Sequence, residues 1–396
     1  MMSIQPTTPG NPSLSATLAL GFRPFFTLAA VAGVTLIATW LAMLAGLQLV
    51  PARLSSHAWH AHEMLFGYTS AVIAGFLLTA VRNWNGIHTW SGYRLGLLAG
   101  VWLLGRLLPW IDGLPMLAWS IVDIAFLPLL GYSLARPLWL GKNHVNRVFL
   151  LLLGLMALAN LLSHLQQQGL LGEFGRASHL MLLLVLMLVL LVAGRVLPFF
   201  TRNVIAGFQP VTRRWVEVLG FLLLAALIAV ELFRQTHTPV AAALWLAVTA
   251  AQLFRFNGWF DRRVLRLPVL WVLHAGYAWL IIGSALNGLS SIGGFPASPA
   301  THALAVGAIG VFTLGMMARV SRGHSGRPLN VSRITAGAFL LLNLAAVVRV
   351  FGPAILPQHL SLWLQLSGAG WCLAFALFAW HYIPMLIRPR TDGKPG

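Results

Sequence analysis

The feature that most constrains this chain is a succession of apolar runs, each about as long as a bilayer is thick. A helix needs roughly 20 apolar residues to cross the hydrocarbon core, and only helices and closed barrels satisfy their own backbone there. Twelve such runs stand at about 24–48, 61–81, 94–111, 114–135, 145–168, 177–200, 214–234, 238–256, 268–289, 299–319, 333–352 and 359–386. The connections between them are short and leave no room for a second globular domain. Only 9% of the residues are charged, where a soluble domain spends about a quarter on charge. The abundance of Leu, Phe and Trp argues equally against disorder. The expected fold is all-α: a polytopic membrane protein with 12 transmembrane helices. Residues 1–16 read as a disordered cytoplasmic lead, 17–388 as a single 12-helix membrane domain and 389–396 as a cytoplasmic tail.

The charges that do occur are lopsided, with 26 Lys and Arg against 8 Asp and Glu, a net +18. A basic excess raises nucleic acid as a partner, but these residues lie scattered in short loops and form no dense stripe. No nucleic acid is expected; the expected surroundings are the lipid bilayer. Alternate loops carry the bias, from Arg82 and Arg94 through to Arg388, Arg390 and Lys394, while the opposite loops hold Arg53 and Arg176. By the positive-inside rule both termini are cytoplasmic. The first 16 residues hold no Lys or Arg and so lack the basic start of a signal peptide. The single cysteine, Cys372, excludes an intrachain disulfide, a c-type haem attachment and any Cys-rich zinc or iron–sulfur site. Metal ligation falls to His, Met or carboxylate.

An internal repeat is visible. The second, sixth and tenth runs each end in a glycine followed by an arginine: Gly75 and Arg82, Gly194 and Arg202, Gly315 and Arg322. Each opens with histidine: His60 and His62, then His179, then His302. The third, seventh and eleventh runs carry Arg106, Arg234 and Arg349 towards their outer ends. Twelve helices thus parse into three four-helix pseudo-repeats, and membrane proteins place sites at such repeat interfaces.

Histidine inside a span is costly and usually functional. His60, His62, His179 and His302 fall at matched depth near the outer leaflet, His164 joins them, and His57 lies within reach. The layer has a bland reading, imidazoles resting among headgroups, and a chemical one: without thiols, it suits haem iron or copper. His60 and His62 sit two residues apart, about 200° around a helix, so they face different neighbours. Glu63 is placed to hydrogen-bond a ligand imidazole or relay protons, or else to sit as an acid at a helix start. Asp123 and Glu231 are the other carboxylates near polar groups inside spans. Arg106, Arg234 and Arg349 oppose the topology bias. They either snorkel to outer phosphates or pair with carboxylates such as haem propionates. His274 is an additional ligand or a hydrogen-bonded core histidine. No phosphate-binding loop occurs, and the few carboxylates argue against a cation transporter.

Several strings are specific. Gly21-Phe-Arg-Pro-Phe-Phe26, Trp59-His-Ala-His-Glu-Met-Leu-Phe-Gly-Tyr68, Ala74-Gly-Phe-Leu-Leu-Thr-Ala-Val81, Leu273-His-Ala-Gly-Tyr-Ala-Trp-Leu280 and the run from His302 to Leu329 resemble the NnrS family. The resemblance spans essentially the whole membrane chain. It implies a haem- and copper-containing protein of the bacterial inner membrane, linked to nitric oxide, nitrosative stress and denitrification. His60, His62, Glu63, His274, His302, Arg319 and His324 fall inside the matching motifs; His179 and Arg195 lie in a less distinctive segment. The implied cofactors are haem b with copper or a second metal, and the implied electron donor is a quinol or a cytochrome. The architecture is also similar to haem–copper oxidases and nitric-oxide reductases, whose metal-binding histidines stand on helices 2, 6, 7 and 10; the seventh run here has no internal histidine. The expected function is redox chemistry on nitric oxide at a His-ligated metal near the outer leaflet, most concretely reduction to nitrous oxide. The alternative is a transporter, or a non-catalytic protein that binds nitric oxide or metal.

Overall fold

The computed structural model describes residues 11–49, 54–171 and 176–394. Residues 1–10 of the expected lead, Arg53, the side chain of Arg176 and residues 395–396 of the expected tail lie outside the described residues. Among those described there is no strand. The long helices are α1 (Phe22–Leu44), α2 (Ser56–Asn85), α3 (Gly92–Leu107), α4 (Met116–Leu140), α5 (Val148–Gln167), α6 (Arg176–Val204), α7 (Arg214–Leu232), α8 (Pro239–Trp259), α9 (Pro268–Ser290), α10 (Ala297–His324), α11 (Arg333–Ile355) and α12 (Leu360–Leu386).

Among the described residues eleven helices are long and apolar enough to cross a membrane, not the expected twelve. The difference is α3, which has 16 residues before a 3-10 turn at Leu108–Trp110. At 1.5 Å per residue it rises about 24 Å, short of the roughly 30 Å core. Pro109 has no N–H to give to the carbonyl of Gly105, and the Trp119 indole N–H donates to that carbonyl instead, at 2.8 Å. The second helix starts at Ser56, ahead of the expected 61, because the Ser55 hydroxyl accepts from Ala58 N at 3.1 Å and caps it. Two helices change period midway: α2 is π-helical over Glu63–Thr69 and α10 over Ala303–Val311. Both segments begin directly after a histidine, His62 and His302.

The chain divides into two compact units, one made of residues 1–177, 317–329 and 375–396, the other of 178–316 and 330–374. In the first unit α1 packs on α2, α2 on α4, α3 on α4 and α4 on α5. Its chain ends are knotted by Arg23, which is buried and donates from Nη1 to the carbonyls of Leu386 and Arg388 at 2.9 and 2.5 Å. Ser13 N donates to Ile387 O at 3.0 Å, and Arg390 donates to His324 O at 2.8 Å. Exposed Leu97, Leu104, Leu151 and Leu158 give α3 and α5 apolar outer faces of the kind that meets lipid.

In the second unit α7 packs on α8, α8 on α9, α9 on α10 and α10 on α11. The loop after α8 is capped by Asp261, which accepts from Arg263 N at 2.8 Å; the Arg263 guanidinium draws that carboxyl down to about 2. Where α9 crosses α10, a Cβ on Gly276 would lie 2.7 Å from Phe312 N, so only glycine allows the approach. Gly276→Val is expected to overpack this crossing and cost about 1–3 kcal/mol, read as a lowered Tm of the purified protein in detergent. An unchanged Tm would mean the helices do not meet there.

Candidate metal centre

The polar centre of the first unit is assembled by four helices, each giving one to four groups to an otherwise apolar packing. His62 and Glu63 come from α2, Arg106 from the last turn of α3, Asp123 from α4, and Asn160, Ser163, His164 and Gln167 from one stripe of α5. Three of the four ion-pair contacts meet at Asp123, and the fourth joins Arg106 to Glu63. Its Oδ2 meets His62 Nε2 at 3.1 Å and His164 Nε2 at 2.8 Å, and accepts from Asn160 Nδ2 at 3.0 Å. Its Oδ1 is paired with Arg106 Nη2. Arg106 Nε lies 2.8 Å from Glu63 Oε2, and its Nη1 donates to Phe66 O at 3.1 Å. His62, Glu63, Arg106, Asp123 and His164 are all buried.

The hydrogen bonds fix the tautomers. A carboxylate only accepts, so both imidazoles carry their proton on Nε2. The Nδ1 of His62 lies 3.3 Å from both Gln167 Nε2 and Ser163 Oγ, and the Nδ1 of His164 lies 3.0 Å from Ser120 Oγ. With both imidazoles neutral, Glu63 and Asp123 against Arg106 leave the cluster at −1. An uncompensated buried charge is strongly unfavourable; one bound proton or one cation would offset this formal charge. His62, Asp123 and His164 can each offer one ligand atom, and these atoms lie within 4.8 Å of one another.

The π-helical turn after His62 shapes this site. Its wider winding leaves the Phe66 and Gly67 carbonyls to outside donors, Arg106 Nη1 and the Trp102 indole at 3.0 Å. A Cβ on Gly67 would lie 2.8 Å from Glu63 Oε2 and 3.2 Å from the Arg106 side chain. Glycine is what lets the Glu63–Arg106 pair lie against the helix.

A sequence model described as NnrS protein matches residues 16–390, nearly the whole chain. The chain belongs to the NnrS family. No curated protein matches it.

The remaining expected site residues of this NnrS chain take separate places. His60 stacks on Trp40, ring centres 4.1 Å apart, and does not face Asp123. His179 is half-exposed with Nδ1 3.4 Å from Glu231 Oε1. His274 donates from Nδ1 to Leu270 O at 3.0 Å, and its Nε2 lies 3.4 Å from Thr201 Oγ1, the contacts of a core histidine. His302 donates from Nδ1 to Ser298 O at 2.7 Å and accepts at Nε2 from Arg349 Nη2 at 3.2 Å. Arg234 is exposed, in a left-handed turn after α7 with φ 59°. Arg106 is held by two protein carboxylates, which take the place that propionates were expected to fill. Asn160, Ser163, Gln167 and Ser120 were absent from the expected set. The signal for the three on α5 was the i, i+3, i+4, i+7 spacing of Asn160, Ser163, His164 and Gln167, a polar stripe on a helix otherwise made of apolar residues.

Arg106→Met would leave two carboxylates buried without their guanidinium. It is expected to lower stability by about 3–5 kcal/mol in denaturant unfolding of the purified protein, and adding Glu63→Gln should recover part of the loss. An effect under about 1 kcal/mol would show that the cluster does not rest on this pair.

Proposed function

We propose that this NnrS protein holds a single redox-active metal ion on His62, Asp123 and His164 and carries out redox chemistry on nitric oxide there. The observation that carries the reading is the convergence of two imidazole Nε2 atoms on one carboxylate oxygen, in a buried cluster whose formal charge is −1. Two histidines and one carboxylate are a donor set that suits iron or copper with coordination positions left open. Binding through the two Nε2 atoms would leave each neutral ring with its proton on Nδ1, within reach of Ser163 Oγ and Ser120 Oγ as acceptors. The cluster fits one ion better than a porphyrin. Phe66 and Trp119 lie 5.0 and 5.5 Å from the His62 ring, centre to centre, and would have to withdraw to admit a haem plane.

When bound, the ion supplies a site for nitric oxide and a path for electrons. The most concrete reaction is 2 NO + 2 e⁻ + 2 H⁺ giving N₂O and H₂O, with a quinol or a cytochrome as electron donor. The protein's own residues supply orientation and protons. Arg106 fixes Asp123 through Oδ1 and leaves Oδ2 to the imidazoles. Ser120, Ser163 and Gln167 hold the two rings through Nδ1, which sets which nitrogen faces the centre. Glu63 Oε1 is buried without a hydrogen-bond partner among the described residues, and so offers a protonatable oxygen beside the cluster. The protein sits, on this reading, in the bacterial inner membrane with both termini cytoplasmic. A second reading, a transporter or a non-catalytic binder of nitric oxide or metal, draws on the fact that both imidazoles are fully hydrogen-bonded without an ion.

Metal analysis and a reduced-minus-oxidised spectrum of the purified protein test the assignment. About one iron or copper per chain is expected, lost in Asp123→Asn and in His164→Gln. Unchanged metal content in both variants would overturn the site, and a haem spectrum would show that a porphyrin binds elsewhere. Glu63→Gln should keep the ion and slow nitric oxide consumption by about 10²-fold or more; a bound ion with no consumption in the presence of a reductant favours the second reading. A fluorescent protein fused after residue 396 should fold and fluoresce, while alkaline phosphatase at the same place stays inactive. The reverse result would invert the topology.

A further inference from the structure

The second unit holds a buried polar group that the metal reading does not use. Near the end of α8, Arg255 and Trp259 are both buried, and the guanidinium carbon lies 4.6 Å from the centre of the indole. Arg255 Nη1 donates to Gln252 Oε1 at 2.9 Å, and Tyr277 OH donates to the same oxygen at 2.6 Å. Arg255 Nη2 lies 3.5 Å from Leu190 O and 3.7 Å from Glu217 Oε1. Three nitrogens in this group are buried with no hydrogen-bond partner among the described residues: Arg255 Nε, Trp259 Nε1 and Gln252 Nε2. A single such orphan is uncommon in a folded protein. Three together, every one a donor, call for something that accepts.

A pocket of about 230 Å³ adjoins two of these residues, Arg255 and Trp259, and is lined also by Arg213, Phe254, Asn257 and Val211. Arg213 is exposed, and its guanidinium carbon lies 4.5 Å from the centre of the Phe254 ring. Glu217 is the carboxylate in this neighbourhood, and it also faces Arg195. Three guanidiniums against one carboxylate leave a positive excess. Water would accept from the orphan donors but would not offset that charge. The guanidinium fork matches the oxygens of a phosphate group.

We infer that this pocket binds a phosphate-type oxyanion, either a free anion or the headgroup of an acidic lipid. Arg255 and Trp259 meet it from the buried side and Arg213 from the mouth. The site is independent of the metal centre. Two probes separate its sources on the purified full chain: inorganic phosphate by titration calorimetry, and phosphatidylglycerol against a diacylglycerol of the same chains by native mass spectrometry. Phosphate alone, phosphatidylglycerol alone, or both are expected to bind, and the pattern names the source. Arg213→Gln, at an exposed position, and Trp259→Phe, which keeps an aromatic ring but removes the indole N–H and narrows the side chain, should each weaken binding about tenfold. Binding of neither probe, binding that both variants leave unchanged, or retention of the diacylglycerol equal to that of phosphatidylglycerol would overturn the inference. So would a neutral quinone analogue that fills the pocket and responds to Trp259→Phe but not to Arg213→Gln.

Discussion

One carboxylate holds the polar centre of the first unit together. Asp123 stands on α4 and is met by Arg106 from α3, His62 from α2, and Asn160 and His164 from α5. In an apolar bundle each of these groups is costly unless paired, so the position of each is conditional on the others. Local irregularities follow from that demand. The π-helical turn after His62 opens carbonyls for Arg106 and Trp102, and Gly67 clears the space in which Glu63 and Arg106 pair. A regular α-helix with an alanine at 67 would satisfy its own backbone better and leave the guanidinium without its place.

The spans were legible because apolar length is a local property that needs no knowledge of neighbours. The exception is α3, a helix shorter than its apolar run for a local reason of another kind. The run 94–111 is apolar throughout, but Pro109 breaks the ladder inside it, and hydropathy does not register a missing N–H. The start of α2 was missed similarly, since Ser55 signals a cap and carries no apolar weight.

The candidate site was legible as a set of rare residues and illegible as a contact. His62, Glu63 and Arg106 stood out because polar groups in spans are few, and Asp123 and His164 were noticed for the same reason. What brings them together is the packing of α2, α3, α4 and α5, and the contacting pairs are separated by 61 and 41 residues. Matched depth was the available guide, and it grouped His62 with His60, His179 and His302. Depth fixes height along a helix but not the direction in which a side chain points. His60 accordingly lies on Trp40 two residues away from a ring that faces Asp123. The polar stripe on α5 carried the missing direction, because i, i+3, i+4 and i+7 share one face.

The repeat itself supplies a control on the chemistry. His62 and His302 each precede a π-helical turn, the same backbone device on α2 and α10. Their partners have opposite charge. The Nε2 of His62 faces a carboxylate, whereas the Nε2 of His302 accepts from the Arg349 guanidinium while its Nδ1 is spent on Ser298 O. A cation approaching His302 would displace a hydrogen bond and meet the like charge of Arg349. A cation approaching His62 would meet the Asp123 carboxylate beside the ring, with the ring proton carried on Nδ1. The same backbone device stands beside both imidazoles, and the charge of the residue opposite is what distinguishes them.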